Sequence, residues 1–460
     1  FDPTLTSETI ASLTYIDFQN AYEDLSDVSR SELGYPYEGV FGDSYDLIPA
    51  MEMGGGIDAG PNLGTVFGFQ PDLFATKWQY AFSQNVTKVW GTHTAKLGFF
   101  WERVINTQPG SGPNHGRIVE GYWSPFVNTG NTFADLLVGQ AGAYAEQSEN
   151  VLHDVGWDRW ELWAQDSWKV SPRVTLNYGA RASWFGAAED RQGNGLSVWD
   201  ESRCESDLAA GTDFPGITWY ARDPSIPVSG IGSTFGVQPR VGLAWDVFGD
   251  GETVLRGGAG LYLWKNAVNE YSQFVDLGAG VRQFSAFGLT LPQLEGLDSD
   301  ELAFGGSALN LGEDRVPRSW NWSLSLNQRL PWSLNLELGY VGNRNDRNSH
   351  LPNLNAVPLG AMLDDPGGAP NHYRPLQYYS ELNIWRHTLF SEYHGLQALL
   401  ARQRGRFNFT LAYTFSKVLG TSGTAGSEYL LTPLRDFSYG PLASDRTHVA
   451  TGTFSWLLPE

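Results

Sequence analysis

Apolar and polar positions alternate with period two along much of the chain, while the helical period of 3.6 is almost absent. In residues 173–184, Val174, Leu176, Tyr178, Ala180, Ala182 and Trp184 share one face, against Thr175, Asn177, Gly179, Arg181 and Ser183. Trp320, Trp322, Leu324 and Leu326 oppose Asn321, Ser323, Ser325 and Asn327. Leu334, Leu336, Leu338 and Tyr340 oppose Asn335, Glu337 and Gly339, and Phe407, Phe409, Leu411, Tyr413 and Phe415 oppose Asn408, Thr410, Ala412, Thr414 and Ser416. The pattern predicts antiparallel strands with one apolar side each.

The connections separate into two kinds. Short turns are expected at Trp90-Gly91-Thr92-His93, Val170-Ser171-Pro172-Arg173, Phe248-Gly249-Asp250-Gly251-Glu252, Leu330-Pro331-Trp332 and Arg404-Gly405-Arg406, where Gly and Pro supply the hairpin dihedrals. Between them lie polar, Gly/Pro-rich stretches of tens of residues at 106–155, 186–237, 265–318, 344–393 and 419–445. Loops of that length count against a compact soluble domain. They suit an outer-membrane β-barrel, with short periplasmic turns at one rim and long extracellular loops at the other. A propeller would repeat about every 40 to 45 residues, and no such repeat is present. Trp78, Trp90, Trp101, Trp160, Trp168, Trp184, Trp264, Trp332 and Trp456 fall near strand ends, where aromatic girdles meet lipid headgroups.

Composition narrows the function classes. The 460 residues carry 51 Asp+Glu against 30 Lys+Arg, a formal net charge of -21, with six lysines that form no patch, so a nucleic-acid partner is set aside. Cys204 is the single cysteine, which excludes an internal disulfide and any CxxC pair. No apolar run reaches 18 residues, so no transmembrane helix is expected, and Phe1 opens no signal-peptide pattern. The eight histidines show no HxxxH or HExxH spacing, and His153-Asp154 lacks a GxSxG elbow, so neither a catalytic metal nor an enzyme is expected. Residues 1–60 hold 12 acidic residues and one base, Arg30. Asp43/Asp46, Glu23/Asp24/Asp27 and the acidic stretch 295–301 offer oxygen ligands for Ca²⁺, although no twelve-residue ligand loop is present and a solvated acidic surface is the favoured reading. No other cofactor is expected.

Several segments carry a family resemblance. WELWAQDSWKV from Trp160 and SPRVTLNYGAR up to Arg181, PRVGLAWDVFGDGETVLRGG from Pro239, FADLLVG from Phe133, LELGYVGNR from Leu336 and AYTFSK from Ala412 resemble barrel hairpins of TonB-dependent outer-membrane receptors, in particular the Oar-like group. The similarity covers most of 77–460, with 1–76 read as an acidic N-terminal part of the barrel bearing a long loop. The resemblance implies an all-β transmembrane barrel of about 22 strands in the complete protein, whereas about a dozen are legible here. It also implies a plug, a TonB box and a TonB-ExbB-ExbD motor, and the segments matching these are not found in the sequence. The implied function is TonB-dependent transport of a bulky substrate, a peptide, glycan or metal chelate. The alternatives are a structural or adhesive surface protein that binds other surface proteins through its long loops, and a passive porin. Alternation places Arg181, Arg256 and Glu337 on the lumen face, and Tyr373, Tyr378, Tyr379 and Trp385 are candidates for contact with substrate or surface proteins in a long loop. Outer-membrane lipid is the remaining expected partner.

Overall fold

The computed structural model describes residues 2–21, 24–42, 46–53, 64–65, 72–110, 115–120, 129, 132–294, 303–363, 370–421 and 438–458. Twelve long strands form one antiparallel meander: β1 (Leu5–Ala21), β2 (Asp72–Trp90), β3 (His93–Pro109), β4 (Leu152–Ser171), β5 (Val174–Phe185), β6 (Thr234–Asp246), β7 (Thr253–Leu263), β8 (Arg318–Leu330), β9 (Leu334–His350), β10 (Tyr379–Arg402), β11 (Phe407–Gly420) and β12 (His448–Trp456). Each pairs with the next in chain order. Among the described residues β1 and β12 do not pair with each other, so the sheet is an open wall.

All five expected short turns join neighbouring strands at one rim. In the β6–β7 turn Gly249 and Gly251 adopt φ of 85° and 71°, and both donate their N–H to the Asp246 carboxylate at 2.8 and 3.0 Å. Only glycine takes two such positions at low cost in so tight a turn.

Register fixes the two faces. Cross-strand partners point the same way, so Trp101, Trp160 and Trp184 form one row across β3 to β5, and Leu326, Leu338, Ala398 and Tyr413 lie on that same side of β8 to β11. Large apolar side chains on this side stay exposed in the isolated chain, with Leu162 at 62% and Leu396 at 56%. Such a continuous apolar exterior is what lipid covers. Its borders are aromatic. Trp90, Trp168, Trp332 and Trp456 mark the short-turn rim, with His93 stacked between Trp90 and Trp168. Tyr15, Trp78, Trp101, Trp160 and Trp184 mark the other border. Trp160 and Trp168 are eight residues apart, about 27 Å along a strand. At a tilt of about 40° the belts stand about 20 Å apart, close to the apolar height of such barrels.

Among the described residues the long connections carry secondary structure of their own. Residues 50–53, 64–65, 117–120, 140–147 and 283–290 make one small sheet. Residues 198–199, 217–218 and 304–310 make another with the outer end of β10, and Gln283 opposite Gly305 joins the two. This cap contains the buried cores of the molecule. One packs Tyr379, Leu382, Ile384, Trp199, Phe214 and Ile217; another packs Trp385, Phe274, Leu309, Val198, Val155 and Trp157. The barrel wall carries few buried apolar side chains, because its apolar side faces lipid.

Candidate functional site

The face opposite the apolar belt is polar and internally paired. Glu161 on β4 accepts from Arg181 Nη1 at 2.6 Å and from Ser183 Oγ at 2.9 Å, both on β5. Gln238 on β6 donates to Ser183 Oγ at 2.7 Å and accepts the Leu263 N–H of β7 at 3.0 Å, so the chain of bonds crosses four strands. The Arg181 guanidinium also lies 4.6 Å from the centre of the Trp163 ring. Higher on the wall, Glu102 accepts from Gln79 at 2.5 Å and pairs with Arg159 at 2.7 Å. Asn321, Asn343 and Asn345 link through carboxamide bonds of 2.5 and 2.7 Å, with Ser319 and Ser391 at their ends. A wall of this kind needs water, protein or a polar solute against it, since unpaired polar groups facing lipid are costly.

The structure places each lumen candidate. Arg181, Arg256 and Glu337 all lie on the polar face. With its side-chain amide turned so that both ends are satisfied, Asn327 bridges the last two, its nitrogen donating to Glu337 Oε2 at 3.1 Å and its oxygen accepting from Arg256 Nη1 at 3.0 Å. Arg181 belongs to a separate network around Glu161. Sequence reasoning missed Glu161, Glu102 and Arg159. The signal was present, since Trp160, Leu162 and Ala164 alternate with Glu161, Trp163 and Gln165. Trp163 weakened it by setting an apolar ring on the polar side. That ring lies flat against Gly98, where a Cβ would come within 2.1 Å of the indole, so Gly98 makes room for it.

The loop candidates need correction. Tyr379 and Trp385 are 2% and 3% exposed and sit inside the cap cores, where the Tyr379 hydroxyl donates to the Pro215 carbonyl at 3.0 Å. They are strand residues of β10 that hold the cap together and have no surface to offer a partner. Tyr373 and Tyr378 are half-buried at its edge, and the Tyr378 ring lies 5.0 Å from that of Tyr379.

The acidic expectations divide. Glu23, Asp43 and 295–301 lie outside the described residues. Asp46 accepts from Ser29 Oγ, Ser31 Oγ and the Ser31 N–H at 2.6, 2.6 and 2.9 Å, and Asp24 accepts the Ser26 N–H at 2.9 Å. Those oxygens order a short helical turn. Among the described residues no three His, Cys, Asp or Glu side chains converge on a metal site. His153 and Asp276 form a buried pair, Nε2 to Oδ1 at 2.7 Å, between the start of β4 and the 275–278 helical turn.

Buried titratable groups make the cap acid-sensitive. Burial, with the Arg30 charge beside it, holds the His115 imidazole down to about 4. A depressed basic group disfavours the fold at low pH, so the stability it leaves intact above about 6.5 is lost as the pH falls from about 6.5 toward 4. The loss is on the order of 3 kcal/mol for His115. Burial raises the Glu146 carboxyl, which works in the opposite direction. The His115 share is read by comparison: thermal melts of His115→Gln should vary less between pH 6.5 and 4 than those of the parent. An unchanged slope would remove His115 from the account.

The comparisons agree with this architecture. The family model described as outer membrane beta barrel domain matches residues 1–460. A search of curated proteins gives no match. Similar solved structures include the outer membrane transporter YddB of Escherichia coli, at 8% identity over 92% of this chain and 41% of that one, TM-score 0.46. The ferric-catecholate import receptor Fiu of E. coli K12 has 12% identity over 84% and 42%, TM-score 0.39. The hemophore receptor HasR of Serratia marcescens, solved with its hemophore HasA and heme, has 13% identity over 99% and 55%, TM-score 0.33. The chain thus spans about half, or less, of the length of these proteins. With an apolar belt between two aromatic borders, a paired polar inner face, and a family match along its whole length, the chain belongs to the outer membrane beta barrel domain family and resides in the outer membrane.

Proposed function

We propose that the protein forms the wall and cap of a TonB-dependent transporter for a bulky substrate, a peptide, glycan or metal chelate. The observation that carries this reading is the paired polar wall, from Glu102 and Arg159 through Glu161, Arg181 and Gln238, beneath a folded cap. A wall with its charges already paired guides a polar solute without trapping it. The resemblance of the hairpins at 160–181 and 239–258 to those of TonB-dependent receptors points the same way and brings in TonB-ExbB-ExbD as the energy-coupling partner. Capture is assigned to the cap surface, with Tyr373 and Tyr378 at its edge. Burial of Tyr379 and Trp385 takes two of the four aromatic candidates away from substrate capture and from surface-protein contact alike.

The test is uptake of labelled peptides, oligosaccharides and ferric chelates by cells with and without the protein, in the presence and absence of TonB. Accumulation of one class that requires both is expected. Uptake unaffected by loss of TonB, or steady conductance in planar bilayers, would replace this reading with a passive pore.

A further inference from the structure

The periplasmic rim carries a groove that the transport reading does not use. The β10–β11 turn reads Arg402-Gln403-Arg404-Gly405-Arg406, and no acidic residue occurs between Glu392 and Glu428. In a chain of net charge -21 these three arginines form no ion pair among the described residues, and the buried Arg402 Nε has no hydrogen-bond partner. Arg402 and Arg404 line a cavity of about 680 Å³ together with Trp332, Leu334, Phe407 and Phe409. Register places the cavity on the lipid side: Arg402 pairs with Leu334 on β9 and Phe409 on β11, in line with the outward Leu336 and Leu411. Above it, the small Ala398 stands between Leu338 and Tyr413 on the same apolar side of β10. Trp332 and Ser333 both adopt left-handed backbone, φ 62° and 60°, an arrangement costly for side-chain-bearing residues, and it leaves Trp332 82% exposed at the mouth of the groove.

We infer that this groove binds the phosphate of an anionic phospholipid in the periplasmic leaflet. Arg402 and Arg404 hold the phosphate, Arg406 adds charge, Trp332 and Phe407 sit at the level of the glycerol, and the acyl chains follow Leu400, Ala398 and Leu396. Guanidinium groups without carboxylate partners fit phosphate geometry, and aromatic side chains beside them favour the same interfacial depth.

The test is native mass spectrometry of the detergent-purified protein titrated with phosphatidylglycerol, with heat-modifiable gel migration as the check on folding. One lipid should stay bound to the parent protein and to the triple variant Arg402→Lys/Arg404→Lys/Arg406→Lys, and excess inorganic phosphate should leave it in place. Arg402→Gln/Arg404→Gln/Arg406→Gln should weaken binding at least about tenfold. Equal binding by the Gln variant, or displacement of the lipid by phosphate, would overturn the inference. A photoactivatable phosphatidylglycerol applied to the unaltered protein gives a second reading that needs no variant. It should label residues 331–334 and 402–409, and labelling confined to other segments would also overturn the inference.

Discussion

Leu396→Arg should destabilise the folded barrel by roughly 2–4 kcal/mol in a bilayer, whereas Gln397→Arg, one residue on, should cost much less. The difference arises from β10 alone. Leu396 pairs with Tyr340 and Phe415 on the apolar side and is 56% exposed in the isolated chain, so lipid is its natural cover. Gln397 pairs with Gly339 and Thr414 on the polar side, where a guanidinium can be solvated in the lumen. Denaturant titrations of the two variants in lipid vesicles measure the contrast, and equal costs would mean that the two faces are not distinct environments.

Trp385→Ala should open the cap while leaving the wall folded. Trp385 is 3% exposed, and its ring packs against Tyr271 and Phe274 at 5.9 and 5.6 Å. Deleting a buried indole costs about 3–5 kcal/mol through lost burial and the cavity left behind. The core that contains it is built mostly from the connections, with the outer ends of β4 and β10, while the rest of the wall is held by strand pairing and lipid, so the loss should fall on one unit. Hydrogen exchange should show faster exchange in 198–199, 217–218, 304–310 and the outer end of β10, with protection in β8, β9, β11 and residues 391–402 of β10 retained. Uniform loss of protection would show that cap and wall fold as one.

The wall was legible wherever one side of a strand meets lipid and the other meets water, because that contrast writes period two into the sequence. Strands β5, β8, β9 and β11 were found in this way, and their Gly- and Pro-bearing turns fixed the short rim. Strand β1 escaped notice. Its outward positions include Ser7, Thr9 and Asp17, and its inward positions include Ile10, Ile16 and Phe18, so neither side has a clean character. The outer end of β10 escaped for the opposite reason. Tyr379 and Trp385 on one side and Leu382 and Ile384 on the other are all buried in the cap, and a strand buried on both faces shows no alternation. Alternation sets Arg181, Arg256 and Glu337 between apolar positions, and the strand register has all three on the polar face. Their partners Glu161 and Asn327 come from neighbouring strands, and their pairing depends on a register that local sequence does not specify.

The account rests on the apolar side of the sheet facing lipid. Spin labels placed singly at Leu396, Gln397 and Ala398, in a Cys204→Ser background reconstituted into bilayers, test this directly through their accessibility to oxygen and to a water-soluble nickel complex. Labels at 396 and 398 should be reached by oxygen and shielded from nickel, and the label at 397 should show the reverse. Accessibility that fails to alternate, or that favours nickel at all three sites, would contradict the barrel reading.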